Sequence, residues 1–90
     1  MTPYERERHM FRLERRDRVD DVAALLSYDL EGPELARYLV RHASLPLKID
    51  GQGNVWVGRR RSEMATRAFQ LDPATFTQAA VAAGCAIRWS

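Results

Sequence analysis

Arginine dominates the basic residues of this chain, and its placement indicates contact with phosphate. Thirteen of the fourteen basic side chains are arginine, and Arg59, Arg60 and Arg61 follow one another directly. The guanidinium presents a planar fork of donors that matches phosphate oxygens and base edges better than an ammonium does. Beside a groove, this run would neutralise phosphates of a nucleic acid. The alternative is a solvated strand end, and GC-rich coding also favours arginine over lysine.

Two further arginines lie one turn apart on a predicted helix that begins at Pro33. Its exposed face carries Arg37 and Arg41, which is where a recognition helix presents side chains to the major groove. The alternative is an ordinary polar helix face. The positions predicted to be buried are Leu35, Ala36, Leu39, Val40 and Ala43.

A block of acidic residues precedes this helix. Residues 17–34 contain six acids against Arg18 alone, a net charge of −5. Such a surface would bind a basic partner protein or mimic nucleic acid. The alternative is helix capping, which explains Asp29 and Glu31 less well than the other acids. The residues predicted to bind a partner are Asp17, Asp20, Asp21, Asp29 and Glu31.

No constellation in the sequence is typical of a catalytic or metal site. His9 and His42 lie far apart and, with Cys85, give no metal-ligand spacing. Cys85 follows a predicted helix C-terminus, where the helix dipole disfavours a thiolate. Residues 51–53 are a glycine turn with no helix after it to hold a phosphate. We therefore expect a protein that is not an enzyme and that uses no metal and no cofactor.

Length and charge indicate one domain with two electrostatic halves. Ninety residues suit a single domain over residues 1–90. Residues 1–34 carry a net charge of −3 and residues 35–90 carry +5, which gives the overall +2. The single cysteine forms no internal disulfide and fits a reducing compartment. With neither a signal-peptide core nor an apolar run long enough to span a bilayer, we expect a cytoplasmic protein without membrane contact.

Helical patterns occupy the N-terminal part of the chain. Residues 2–5 match a capping box, and residues 1–18 are expected to form a loosely anchored helix, because apolar anchors are few. Asp20 or Asp21 is predicted to cap a second helix, and the helix that begins at Pro33 is the third. The apolar stripe predicted for the second helix is Val19, Val22, Leu25 and Leu26.

After Ser44 the apolar period changes from helical to two. Residues 45–49 alternate, residues 50–54 have turn chemistry, and residues 55–57 are rich in strand-forming types. This pattern predicts a β-hairpin. Pro46 lies near the start of the first strand, which predicts an edge strand because proline lacks an N–H for the ladder.

Residues 61–71 fit two structures. Ser62 is a suitable cap for a helix, but alternate apolar positions also fit a third strand. We favour the strand, because this segment runs directly into the next helix start.

The last part of the chain predicts a helix and then a strand. Asp72 is the expected N-cap, Gly84 the expected end, and residues 85–89 alternate as a terminal strand. Trp56 and Trp89 are expected in the core. The whole pattern predicts a small α+β domain: three N-terminal helical segments, a β-hairpin, then a helix and a C-terminal strand.

The order of elements over residues 20–61 matches a known pattern. An apolar helix at 22–26, a connection, the helix at 34–41, the dipeptide Leu45-Pro46 and a hairpin followed by arginines occur in sequence. This order resembles the small winged-helix domain of phage excisionases and related regulators. The resemblance implies a winged-helix fold in which Arg37, Arg41 and His42 face the major groove. The residues it places on the wing near the backbone are Lys48, Gln52, Asn54 and Arg59.

Two functions follow as hypotheses. The first is a small DNA-binding or transcription-regulatory protein, of the kind that phages and mobile elements encode. The second is a protein–protein interaction module, such as a phage-encoded inhibitor of a host protein, which uses its acidic helical face. Edge-strand pairing into a homodimer is compatible with either. The residues predicted to contact duplex DNA are Arg37, Arg41, Lys48, Arg59, Arg60 and Arg61.

Overall fold

A computed structural model describes residues 2–5 and 18–90 of the chain. Most of the predicted N-terminal arm therefore lies outside the described residues, together with His9 and Asp17. Residues 3–5 are helical. The Glu5 N–H donates to Thr2 Oγ1 at 3.3 Å and the Thr2 N–H donates to Glu5 Oε2 at 3.4 Å, which confirms the capping box.

Helices and one four-stranded sheet make up the described chain. In chain order the elements are α1 (helical over residues 18–25), α2 (Glu31–Arg41), β1 (Leu47–Ile49), β2 (Val55–Val57), β3 (Arg60–Arg61), α3 (Glu63–Leu71), α4 (Pro73–Ala82) and β4 (Ile87–Trp89). The strand order is β3-β2-β1-β4. β1 pairs antiparallel with β2 and parallel with β4, and β3 pairs antiparallel with β2. The predicted α+β class is confirmed.

The predicted hairpin is the β1–β2 pair. Asp50 forms its turn by accepting hydrogen bonds from the backbone N–H groups of Gln52 and Asn54, both at 2.9 Å. Gly53 has a φ of 80°, a conformation that glycine adopts at little cost. Asp50 and Gly53 therefore supply the hydrogen-bond acceptor and the positive φ that this turn requires.

The prediction that Pro46 marks an edge strand is wrong. β1 lies in the middle of the sheet, between β2 and β4. Pro46 precedes the strand, and the first strand residue, Leu47, donates its N–H to the Ala86 carbonyl at 2.8 Å. The missing N–H of proline therefore removes no bond from the ladder.

The strand prediction for residues 61–71 is also wrong beyond Arg61, which ends β3, because the rest of the segment is α3. Ser62 caps this helix by accepting the Ala65 N–H at 3.1 Å. In the helical register the small residues Ala65 and Ala68 are both buried, and α3 contacts β2. Small side chains on this face let the helix lie close to the sheet.

The last helix and its boundaries agree with the prediction. Asp72 caps α4 by accepting the Thr75 N–H at 3.2 Å, and Pro73 occupies the first turn. Gly84 follows the end of α4 with a φ of 91°. The buried stripe consists of Phe76, Ala79, Ala80 and Ala83.

The capping prediction for α1 is wrong. Asp20 and Asp21 lie inside the helix, which already includes residue 18. Val22 and Leu26 are fully buried, as predicted, but Leu25 is 37% exposed and therefore lies off the buried stripe.

The connection before α2 is shorter than predicted, because the helix starts earlier than the expected Pro33. The helix begins at Glu31, two residues before Pro33. Asp29 adopts a φ of 41° in the turn. A Cβ at Gly32 would lie 2.8 Å from the Leu26 carbonyl oxygen, so the close approach of two backbones requires glycine there.

Helices α1 to α4 pack on one face of the sheet. One strand face and the buried sides of the helices form a single hydrophobic cluster. Within the described residues, no helix covers the opposite face of the sheet, which we call the open face. The largest fully buried side chains are Phe76, Leu26, Leu35, Leu39, Leu47, Ile49, Val22 and Val55.

Neither tryptophan belongs to this core, contrary to the prediction. Trp56 stands between Val55 and Val57, whose side chains enter the core, so it projects from the open face and is half-buried. Trp89 is 62% exposed, and its ring centroid lies 6.0 Å from that of Phe69.

Candidate functional site

Four side chains form a row across the open face. Lys48 of β1 lies opposite Trp56 of β2 and Arg88 of β4, and Trp56 lies opposite Arg61 of β3. Directly paired residues project from the same face of a sheet. Because neighbouring strands lie about 4.8 Å apart, the row spans about 14 Å. We call Arg61, Trp56, Lys48 and Arg88, in that order, the cross-strand row.

The cross-strand row is positively charged and accessible. Lys48, Arg61 and Arg88 are exposed. Among residues 2–5 and 18–90, none of these three cations forms a salt bridge, since the ion pair found there joins Arg67 to Glu31. Within the described part of the chain, no carboxylate is paired with any of these three charges.

A shallow pocket of about 330 Å³ opens beside Trp56. Its volume lies at the lower end of the range for small-ligand sites, which is roughly 300–1,000 Å³. It is large enough for a small planar group. The residues that line it are Lys48, Asp50, Trp56 and Gly58.

Asp50 is the acid of this site, and its carboxylate accepts four hydrogen bonds. Two come from the backbone N–H groups of the turn, a third from Asn54 Nδ2 at 3.1 Å, and a fourth from the indole N–H of Trp56 at 3.2 Å. The backbone N–H of Asn54, followed by the indole N–H, lowers the pKa of Asp50 to about 2. At neutral pH this group is therefore an anion whose lone pairs are occupied.

The same network reaches a second member of the row. Arg61 Nε donates to Asn54 Oδ1 at 2.9 Å, and Asn54 in turn donates to Asp50. The hairpin turn therefore orients both Arg61 and Trp56 on the open face.

The structure brings together only part of the predicted nucleic-acid-binding set. Lys48 and Arg61 belong to the cross-strand row. Arg59 lies exposed in the turn between β2 and β3, and Arg60 pairs with Val57, so its side chain leaves β3 on the helical side. These two arginines border the row at its β3 end without belonging to it.

Arg37 and Arg41 lie elsewhere. α2 buries Leu35 and Leu39, and both arginines are exposed on the side of the helix that faces away from the core. Because the open face lies beyond the core on the other side of the sheet, the two arginines are separated from Lys48 and Arg61. His42, which the excisionase resemblance places at the groove, is half-buried with its ring centroid 4.6 Å from that of Tyr38.

Sequence reasoning missed Trp56 and Arg88 as members of the site. The signal for Trp56 was its position between two buried valines. The signal for Arg88 was its position on the face of the predicted strand opposite the one that Cys85, Ile87 and Trp89 share. The missing information was that β4 pairs with β1, because this contact joins distant parts of the chain.

The acids predicted to bind a partner have different local roles. Asp20 and Asp21 are exposed on α1. Asp29 occupies a left-handed turn position, which aspartate adopts more readily than most residues. Glu31 Oε1 pairs with Arg67 Nη1 at 2.9 Å. Local structure thus explains the positions of Asp29 and Glu31, the two acids that helix capping explained least well.

Neither a metal site nor a membrane helix is found in the part of the chain that the structure describes. No three His, Cys, Asp or Glu side chains group there as a metal ion would require. No helix there is long and apolar enough to cross a bilayer.

No protein-family model, curated protein or solved structure matches the chain. Function is therefore inferred from the cross-strand row.

Proposed function

We propose that this domain binds nucleic acid through the open face of its sheet. The observation that carries the proposal is the cross-strand row, in which Lys48, Arg61 and Arg88 share one surface with an aromatic ring. Cations of this kind neutralise phosphates, and an aromatic side chain offers a base a surface for stacking.

The charge around the row also favours a polyanion. Arg59 and Arg60 extend the basic surface beyond Arg61. Asp50, the acid of the site, directs its oxygens at N–H donors of the hairpin. A phosphate backbone that crosses the sheet would therefore meet cations along the whole row.

Replacement of Lys48 and Arg88 by alanine tests this proposal. Both side chains are exposed, so the substitutions preserve the core. We expect the double variant to bind fluorescently labelled nucleic acid more weakly than the wild type, on the order of ten-fold at low salt, because two phosphate contacts are lost. Fluorescence anisotropy measures the affinity, and circular dichroism verifies the fold.

Arg37→Ala with Arg41→Ala is the matched control, because it removes the same charge from exposed positions on the far side of the core. We expect its affinity to stay within about two-fold of the wild type, as the lost charges contact no phosphate. The opposite result, with loss of binding in the α2 variant alone, would show that α2 acts as a recognition helix and that the proposal is wrong.

The more specific functions stay predictions. Transcriptional regulation, which the excisionase resemblance implies, requires duplex recognition by α2 and depends on that control. Inhibition of a host protein would use the exposed acids Asp20 and Asp21, and Leu30, nearby in sequence, is 88% exposed. Absence of binding to any nucleic acid would favour this second function. A reducing, cytoplasmic setting is supported by Cys85, a buried free thiol.

A further inference from the structure

The ring of Trp56 offers an apolar surface and no free hydrogen-bonding group. Its N–H, the one polar group of the side chain, donates to Asp50 Oδ2 at 3.2 Å. Asp50 accepts three further bonds. A ligand beside this tryptophan therefore gains contact with the ring itself rather than a polar bond to it.

The surroundings of the ring suit a planar group that is joined to a phosphate. The pocket beside Trp56 measures about 330 Å³, and Gly58 on its wall contributes no side chain. Lys48 lies at the pocket, and Arg61 lies opposite Trp56 on the neighbouring strand. The strands that carry these two cations thus flank β2 on both sides, each at a backbone spacing of about 4.8 Å.

Duplex and single strand differ in what they present to such a surface. In a duplex both faces of a base are stacked, and only the edges can be reached, through the grooves. In a single strand the bases unstack readily and lie on aromatic side chains of sheets. The open face carries no helix of the described chain that would enter a groove.

We infer that the open face takes single-stranded nucleic acid, with one unpaired base stacked on Trp56 and adjacent phosphates paired with Lys48 and Arg61. This inference rests on the proposed function and specifies its ligand. Because the Asp50 acceptors and the indole N–H are already occupied, neither group reads a base edge. Binding therefore tolerates different base sequences.

The test uses the intrinsic fluorescence of Trp56. The chain has two tryptophans, so Trp89→Phe leaves Trp56 as the reporter. This variant is titrated with oligothymidylate of about 12 nucleotides, a length that single-strand-binding folds cover. Parallel titrations use a duplex of the same length and an abasic strand that carries the same phosphates.

We expect the oligothymidylate to quench Trp56 and to bind roughly ten-fold more tightly than the duplex or the abasic strand, since stacking on an aromatic side chain contributes about one to two orders of magnitude in affinity. Trp56→Leu should lose this advantage, and Trp56→Phe should keep most of it. Trp56 lies outside the core, and circular dichroism of each variant verifies folding.

The outcomes separate this inference from the proposed function. Equal affinity for all three ligands with unchanged Trp56 fluorescence would overturn the inference. The proposed function would survive if Lys48→Ala with Arg88→Ala still weakened binding. Absence of binding to any of the three ligands at low salt would overturn both.

Discussion

Asp50 links the hairpin turn to the side chains of the open face. Its carboxylate holds the backbone of residues 52–54 and also the indole of Trp56. Asn54 extends the same network to Arg61. One acidic side chain therefore fixes the positions of an aromatic and a basic member of the cross-strand row.

This network predicts that Asp50 makes stability depend on acidity. The pKa of Asp50 in the folded chain is about 2, below the ordinary 3.8. The unfolded chain therefore binds the proton more readily, so the stability that Asp50 contributes is complete above about pH 4 and is lost as the pH falls towards 2. Thermal unfolding followed by circular dichroism should show the Tm of the wild type falling over that interval.

Asp50→Asn provides the comparison. The amide keeps the size of the side chain but loses the charge and replaces one acceptor by a donor, so we expect a lower Tm at neutral pH. Its Tm should also fall less below pH 4. A residual dependence is expected from Asp72, whose pKa is lowered by hydrogen bonds from Thr75. Parallel Tm curves for the wild type and Asp50→Asn would contradict the assignment.

At the scale of elements, one buried hydrogen bond fastens α3 to the sheet. The backbone N–H of Val55 in β2 donates to Thr66 Oγ1 at 2.9 Å, and Thr66 is 2% exposed. A strand amide thus finds its acceptor on a helix side chain.

Thr66→Val should destabilise the domain by about 1–3 kcal/mol, because the nearly isosteric side chain leaves a buried N–H without an acceptor. Urea denaturation measures the change in the free energy of unfolding. Thr66→Ser keeps the hydroxyl and should recover most of the loss. Equal destabilisation in both variants would contradict the assignment, because Thr66→Ser keeps the acceptor of this hydrogen bond and loses only a methyl group.

The same contact explains why residues 62–71 were misassigned. A capping serine and alternating apolar residues gave two local patterns of similar strength. The segment is helical because α3 covers β2. Neither local pattern reveals a contact between a helix and a sheet. The hairpin turn, the face of α2, and α4 with its Asp72 cap depend on near neighbours and were predictable.

For the site, the limit lies in the pairing of distant strands. Lys48 and Arg61 were predicted from residue type. Arg88 joins them only because β4 lies beside β1, and Trp56 joins them only because α1 to α4 all pack on the other face. Neither fact has a local signal.

At the scale of the whole molecule, the sheet separates an apolar layer from a charged one. Under the proposed function, three cations of the cross-strand row contact the same strand of nucleic acid. The logarithm of affinity should then fall against the logarithm of salt concentration with a slope of about −2, from roughly −0.7 per phosphate. Lys48→Ala with Arg88→Ala should reduce the slope to about −0.7. Anisotropy titrations at several salt concentrations measure this slope. An unchanged slope in the double variant would mean that Lys48 and Arg88 contact no phosphate.

The parallel pairing of β4 with β1 has a consequence for the order in which the molecule is completed. As a ribosome releases the chain, the hairpin and both helices after it emerge before Ile87–Trp89. Until then β1 keeps a bare edge that is open to foreign strands. Arg88 arrives with the strand that covers this edge. Nascent or partly opened molecules therefore lack the last cation of the cross-strand row, and the row becomes complete only when the edge of β1 is covered.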